Sequence, residues 1–129
     1  MSALTASFDL RPVARSVPTA RHVVTELLIS WRARHDLDDA ALLVTELVTN
    51  VVDHVGGESV LTVEVALSGD WLRISVADGS AVRPVVRELD SADPRGRGLR
   101  LVQTLASGWG ADDHDGGKRV WFELTPPEV

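Results

Sequence analysis

The alternation of apolar and polar side chains constrains this chain most, because it requires a sheet with one buried face. Apolar residues occupy every second position from Leu61 to Leu67, within a predicted strand from Val60 to Leu67. The turn-forming residues Ser68-Gly69-Asp70 and a second apolar stretch, Trp71 to Ala77, follow directly. The two strands should therefore pair as an antiparallel hairpin, and their apolar face needs a covering layer.

Two stretches before the hairpin have the spacing of amphipathic helices. The first is predicted to begin near Ser16 and to continue to about Trp31. The second follows a break at His35-Asp36-Leu37-Asp38, where either aspartate can cap it, and is expected to run to about His54. The helices supply apolar faces for the covering layer.

Shorter patterns complete the predicted fold. Strands are expected at Thr5 to Leu10, Trp109 to Ala111 and Val120 to Leu124, with a turn at Asp113 to Gly117 and a short helix that contains Leu99 to Leu105 and ends near Gly108. Helices and hairpins mix without regular β-α-β alternation. The fold class is therefore predicted as α+β, a two-layer sandwich whose mixed, mostly antiparallel sheet is covered on one face by about three helices. A doubly wound sheet is the alternative.

Composition limits the classes of function. The 129 residues suit a single domain, residues 1–129, and 44% of them are apolar, which excludes an intrinsically disordered chain. The net charge of −6 disfavours direct binding to nucleic acid. The chain has no cysteine, and no apolar run approaches the roughly 20 residues that cross a bilayer. A cytoplasmic protein without membrane contact is expected.

The second predicted helix carries a polar stripe beside its apolar arc. Glu46 and Asn50 are four residues apart, as are Asn50 and His54, so they are neighbours on the helix surface, with Asp53 close by. A carboxylate next to an amide oxygen suits a site for magnesium and phosphate, because Mg²⁺ prefers oxygen ligands. The carboxylate could also accept a proton from an attacking hydroxyl group. The alternative interpretation is the solvated face of an amphipathic helix.

Two further features are weak when taken singly. Pro94-Arg95-Gly96-Arg97-Gly98-Leu99 places two glycines before a helical pattern, where backbone N–H groups can approach a phosphate. The alternative is a tight turn. Asp78 ends an apolar strand, where its carboxylate could accept a hydrogen bond from an exocyclic amine such as that of adenine, or could simply initiate a turn.

The order and spacing of these motifs resemble those of the Bergerat-fold (GHKL) ATPases. Leu43 to Asn50, with His54 beyond, resembles their N box, and Val76 to Ser80 resembles their first glycine box. Gly96 to Val102 resembles the second glycine box, and Gly117 to Leu124 resembles the closing strand of small bacterial members. Within the family, the chain is most similar to the anti-sigma-factor serine/threonine kinases and their stand-alone actinobacterial relatives.

The resemblance implies a role for each matching residue. Asn50 would hold the Mg²⁺ that bridges the phosphates of ATP, and Glu46 would be the general base that activates a serine hydroxyl. Asp78 would bind the adenine amine, and Gly96 and Gly98 would hinge a lid over about residues 82–95. The remaining residues that would contact the nucleotide are His54, Ser80, Arg95, Arg97 and Leu99.

The sequence departs from the family pattern at three positions. Ser80 and Val82 stand where the first glycine box normally has glycines, and Asp53 stands where many relatives carry a basic residue. Of the arginines in the lid, Arg95 and Arg97 are interpreted as phosphate partners. Arg83 and Arg87 are interpreted as part of a solvated, charge-balanced loop.

The resemblance implies an ATP-dependent serine kinase that phosphorylates an anti-anti-sigma (STAS-type) partner and regulates a sigma factor. Members of this branch often pair, so a homodimer is also implied. The departures motivate an alternative, a non-catalytic nucleotide-binding or contact-only regulatory module. The catalytic domain of a sensor histidine kinase is a third interpretation, disfavoured because no phosphoacceptor hairpin or membrane segment accompanies the motifs.

Overall fold

A computed structural model describes residues 3–54, 60–78, 105–114 and 117–127. Within these ranges the chain forms two helices and five strands. They follow the order β1 (Leu4–Leu10), α1 (Ser16–Ser30), α2 (Leu37–His54), β2 (Leu61–Ser68), β3 (Trp71–Asp78), β4 (Gly108–His114) and β5 (Gly117–Leu124). Neither of the two described helices is long and apolar enough to cross a bilayer.

The strands form one sheet in the order β1-β2-β3-β5-β4, and all four pairings are antiparallel. The hairpin between β2 and β3 turns at Gly69, whose φ of 60° is a conformation that glycine adopts without strain. The pairing of β3 with β5 places the end of β3 beside the beginning of β5. Asp78 and Lys118 lie opposite each other at this corner of the sheet.

The core lies between one face of the sheet and the helix layer. α1 packs on α2, and α2 contacts β3 and β5. Phe122, on β5, is fully buried and is the largest of the fully buried side chains. The other large members of the core are aliphatic: Leu28, Leu43, Leu47, Leu61, Leu72 and Ile74.

Both helices begin where the sequence predicts, although their caps differ. Asp36 caps α2, because its Oδ1 accepts a hydrogen bond of 3.0 Å from the backbone N–H of Asp39. Ser16 does not cap α1, since its hydroxyl donates to the carbonyl oxygen of Arg11 at 2.6 Å. That bond ties the first turn of α1 to the chain that leaves β1.

The predicted α+β fold is confirmed, with two differences in detail. The predicted turn from Asp113 to Gly117 is too wide, because Asp113 pairs with Lys118 and His114 pairs with Gly117 in the β4–β5 ladder. The predicted short helix, expected to end near Gly108, lies outside the described residues before Leu105; it ends earlier than predicted, because Leu105 is helical but Gly108 already begins β4. The described helix layer therefore consists of α1 and α2.

The sheet face opposite the helices is polar and carries one ordered aromatic contact. The guanidinium carbon of Arg73 lies 4.3 Å from the ring centroid of Trp121, within the range of a cation–π interaction. Gly110 pairs with Trp121 across β4 and β5, and the indole ring covers the space where a Cβ would be. Trp31 and Trp109 pack against the core, whereas Trp71 is 52% exposed.

We predict that Gly110→Ala destabilises the protein. The added Cβ would lie 2.7 Å from Cζ2 of Trp121, so the indole would have to leave its position beside Arg73. The expected loss is about 1–3 kcal/mol in the free energy of unfolding, measured by urea denaturation. Gly108→Ala is the matched control, because its Cβ would meet Glu123 Oε1 at an ordinary 3.6 Å. Equal losses in the two variants would contradict the prediction.

Candidate functional site

Helix α2 places Glu46 and Asn50 one turn apart. Residues four apart on a helix have Cβ atoms about 5–6 Å from each other, so the two polar groups are neighbours. Asn50 is only 6% exposed, although it is polar and stands near the end of the helix. The interpretation of the stripe as a solvated face therefore fails for Asn50. It holds for Asp53, which is exposed.

The side-chain oxygen of Asn50 is buried and has no hydrogen-bond partner among the residues that the structure describes. A buried polar atom without a partner costs about 1–3 kcal/mol, which natural proteins rarely accept without a functional reason. An amide oxygen is a suitable ligand for Mg²⁺, which binds to proteins through one or two oxygens and fills its other positions with water and phosphate. The observed Oδ1 thus fits the role of a magnesium ligand.

Glu46 lies one turn of α2 before Asn50 and is half-buried. Burial removes water from its carboxylate and raises the pKa above the ordinary value for glutamate. A carboxylate with a raised pKa binds a proton more strongly, so it is a better general base near neutral pH. Glu46 therefore has the environment that the predicted role requires.

Asp78 ends β3 on the face of the sheet that the helices cover. It is 7% exposed and shares this face with Leu72, Ile74 and Val76. Because α2 contacts β3, the strand that ends in Asp78 lies against the helix that carries Glu46 and Asn50. The buried position argues against a simple solvated turn, since β3 continues through Asp78 and pairs there with β2 and β5.

Sequence reasoning missed the buried Lys118. This residue lies opposite Asp78 in the ladder between β3 and β5 and is 3% exposed. The signal that could have revealed it is alternation, because Lys118 continues the buried series Val120, Phe122 and Leu124 by one more step of two residues. A buried lysine is rare unless it is paired.

The comparison with protein families decides the identity of this arrangement. Residues 10–124 match the family described as the histidine kinase-like ATPase domain. The chain belongs to this family. The match covers both helices of this ATPase domain and the predicted first and second glycine boxes.

Three solved structures have the same fold. A Mycobacterium tuberculosis structure with RsbU and RsbW domains has a TM-score of 0.71 and 22% sequence identity. The aligned region covers 95% of this chain and 32% of the chain in that structure. The histidine kinase domain of a blue-light-activated kinase from Erythrobacter litoralis has a TM-score of 0.55 and 23% sequence identity, and the aligned region covers 69% of this chain and 44% of that one. The catalytic domain of histidine kinase ThkA has a TM-score of 0.60, 12% identity and coverage of 93% and 95%.

The ATPase domain described here thus spans about a third of the first structure that it resembles. At 12–23% sequence identity, the similarity to these structures shows a shared fold alone. A comparison with curated proteins finds no match. The resemblance to the Bergerat-fold ATPases, made from the sequence motifs, is confirmed at the level of the family.

Part of the predicted site falls outside the described residues of this ATPase domain. α2 ends at His54, whose side chain is not among them. The same is true of the lid, residues 82–95, and of the other residues expected to contact the nucleotide: Ser80, Arg95, Gly96, Arg97, Gly98 and Leu99. Their roles stay predictions, and the site described here consists of Glu46, Asn50, Asp78 and Lys118.

Proposed function

We propose that this chain is an ATP-dependent serine protein kinase of the anti-sigma-factor type. It uses Mg²⁺ and ATP to phosphorylate an anti-anti-sigma protein of the STAS type, and it regulates a sigma factor. Membership of the histidine kinase-like ATPase family supports the nucleotide. The motif resemblance and the likeness to a structure that contains an RsbW domain support the branch. A second copy of the chain is the further partner that this branch implies.

The observation that carries the proposal is the buried Oδ1 of Asn50, which has no hydrogen-bond partner within the described part of the chain, one helical turn from half-buried Glu46. A solvated helix face would leave both side chains in water, with the ordinary pKa for the glutamate. The observed pair instead combines an oxygen that lacks a ligand with a carboxylate that binds protons more strongly. These are the two groups that magnesium binding and proton abstraction require.

The residues divide the work of phosphoryl transfer. Asp78 accepts a hydrogen bond from the exocyclic amine of adenine, and Asn50 provides an oxygen ligand to the metal. Magnesium, when bound, neutralises charge on the phosphate oxygens. Glu46 accepts the proton of a serine hydroxyl while the hydroxyl oxygen forms its bond to the γ-phosphorus and the bond from that phosphorus to ADP breaks.

Calorimetric titration with ATP, with and without Mg²⁺, tests the nucleotide site. We expect binding that depends on magnesium and that weakens by about tenfold or more in Asn50→Ala and in Asp78→Asn, because each loses a charge-assisted contact. Asp38→Asn is the control. It makes the same change of charge as Asp78→Asn, at an exposed position in the first turn of α2.

Two outcomes would contradict the nucleotide site. One is the absence of binding by the wild-type protein up to millimolar ATP. The other is unchanged affinity in both Asn50→Ala and Asp78→Asn. Either result would leave Glu46 without a reaction to catalyse.

A non-catalytic regulatory module is the second candidate function. It is favoured by exposed Asp53, whose negative charge lies one turn of α2 from Asn50 and two turns from Glu46 and repels phosphate, and by Ser80 and Val82 in the first glycine box. Transfer of the γ-phosphate to a STAS-type protein separates the candidates. A protein that binds ATP but transfers no phosphate to any such partner belongs to the second class.

A further inference from the structure

A row of charged side chains crosses three strands at the corner of the sheet where β3 ends. Lys118 on β5 lies directly opposite Asp78 on β3 and directly opposite Asp113 on β4. Residues directly opposite each other in antiparallel strands project from the same face, with Cβ atoms about 4.5–5.5 Å apart. The lysine therefore stands between two carboxylates.

The inner part of this row is buried. Lys118 is 3% exposed and Asp78 is 7% exposed, whereas Asp113, on the edge strand, is exposed. Lys118 is also the single lysine of the chain, since the other 12 basic side chains are arginines. Charged side chains are expensive to bury without a partner. The one ammonium group is thus enclosed beside the carboxylate that is expected to recognise adenine.

We propose that Lys118 is a positioning residue for base recognition: its ammonium group binds the Asp78 carboxylate and holds it as a hydrogen-bond acceptor for the adenine amine. This inference rests on the proposed function. It goes beyond that function by assigning the selectivity for adenine to a pair of residues on two strands.

The selectivity follows from donor and acceptor chemistry. Adenine presents an amine donor at the position where hypoxanthine and guanine present a carbonyl acceptor. An ionised carboxylate accepts from the first and repels the second. Without a neighbouring cation, burial disfavours the ionised form of a carboxyl group, and a protonated carboxyl can donate to a carbonyl. Loss of Lys118 should therefore weaken ATP binding and admit ITP.

The first test compares the dissociation constants of Mg·ATP and Mg·ITP by calorimetry. The wild-type protein should prefer ATP, and Lys118→Met should reduce the preference by about tenfold or more. Lys118→Arg keeps the positive charge and should retain most of the preference. Arg119→Met is the matched control, because Arg119 is the next residue of β5, and its contacts of 3.1 and 2.9 Å to Asp112 are on the opposite face.

The second test uses the unmodified sequence, so it stands even where Lys118→Met does not fold. Because the chain has one lysine, protein labelled with ¹³C,¹⁵N-lysine gives a single set of lysine side-chain NMR signals. Saturating Mg·ATP should shift these signals, and Mg·tripolyphosphate, which lacks the base, should not. A lysine that lies away from the bound base would respond to neither.

The outcomes distinguish a failure of the proposed role of Lys118 from a failure of the proposed kinase function. If the wild-type protein binds neither nucleotide, the proposed function fails and the role of Lys118 fails with it. If the wild-type protein prefers ATP but Lys118→Met keeps the same ratio of dissociation constants, only the role of Lys118 is overturned. Lysine signals that do not move at saturating Mg·ATP would overturn it as well.

Discussion

Replacing Glu46 by glutamine is expected to slow phosphate transfer by about 10²–10⁴-fold, because glutamine cannot accept the proton of the attacking hydroxyl. The affinity for Mg·ATP should change little, since Glu46 acts on the hydroxyl and not on the nucleotide. The measurement is transfer of labelled γ-phosphate to a STAS-type protein, with ATP binding followed by calorimetry. Glu26→Gln, at an exposed position on α1, is the matched control and should keep full activity.

The same replacement should stabilise the fold at neutral pH. Burial raises the pKa of Glu46 in the folded state, so the folded protein holds the proton more strongly than the unfolded chain. The carboxyl group therefore favours folding below its ordinary pKa, and that contribution is lost as the pH rises through the raised value. Urea denaturation of Glu46→Gln should show a gain over the wild-type protein at about pH 7 that disappears near pH 4.

A variant that loses both activity and stability at neutral pH would refute this account of Glu46. The carboxylate would then be a structural group whose removal disturbs α2. Slower phosphate transfer together with a higher free energy of unfolding is the pattern expected of a catalytic group that destabilises the folded protein.

Phe122→Ala should lower the free energy of unfolding by about 3–5 kcal/mol, a larger loss than that expected for Gly110→Ala. Phe122 is fully buried on β5, between Ile74 on β3 and Trp109 on β4, and truncation leaves a cavity in the core between the sheet and the helices. Urea denaturation monitored by circular dichroism measures the loss.

The chain contains a matched control for this change. Phe8 lies on the edge strand β1 and is only partly buried, so Phe8→Ala should cost clearly less than Phe122→Ala. Similar losses at the two positions would contradict the difference in burial between Phe122 and Phe8. A loss below about 1 kcal/mol for Phe122→Ala would contradict the described packing.

Strong periodicity is the reason that most of the fold follows from the sequence. The alternation in β2 and the turn at Gly69 determine the central hairpin, and the helical spacing before it determines α1 and α2 within a residue or two. These elements have one buried face each, so a change of register would expose the core. Local pattern and tertiary packing therefore agree.

The burial of Asn50 could not be assigned in the same way. Asn50 stands seven residues after Leu43, so the two lie within about 20° around the helix axis, at the border between the apolar arc and the polar stripe. A helical pattern alone does not decide on which side of that border a residue falls. The decision comes from the packing of α2 against β3 and β5.

Lys118 was missed because of a strand boundary. In the prediction from periodicity, the turn ends at Gly117 and the strand begins at Val120, so Lys118 belongs to neither, although the closing-strand motif from Gly117 to Leu124 includes it. The ladder instead continues to the pair His114 and Gly117, which places Lys118 inside the sheet and on its buried face. The periodicity places the start of β5 three residues too late, so the burial of the chain's only lysine was not predicted.

The proposed nucleotide site at Asn50 would also couple nucleotide supply to the lifetime of the protein. A ligand that occupies this site binds the folded state and not the unfolded chain, so it stabilises folding by about 2.7 kcal/mol when present at 100 times its dissociation constant. The unliganded chain unfolds more often and is open to proteolysis more of the time. The cellular abundance of such a protein would follow the concentration of its own ligand.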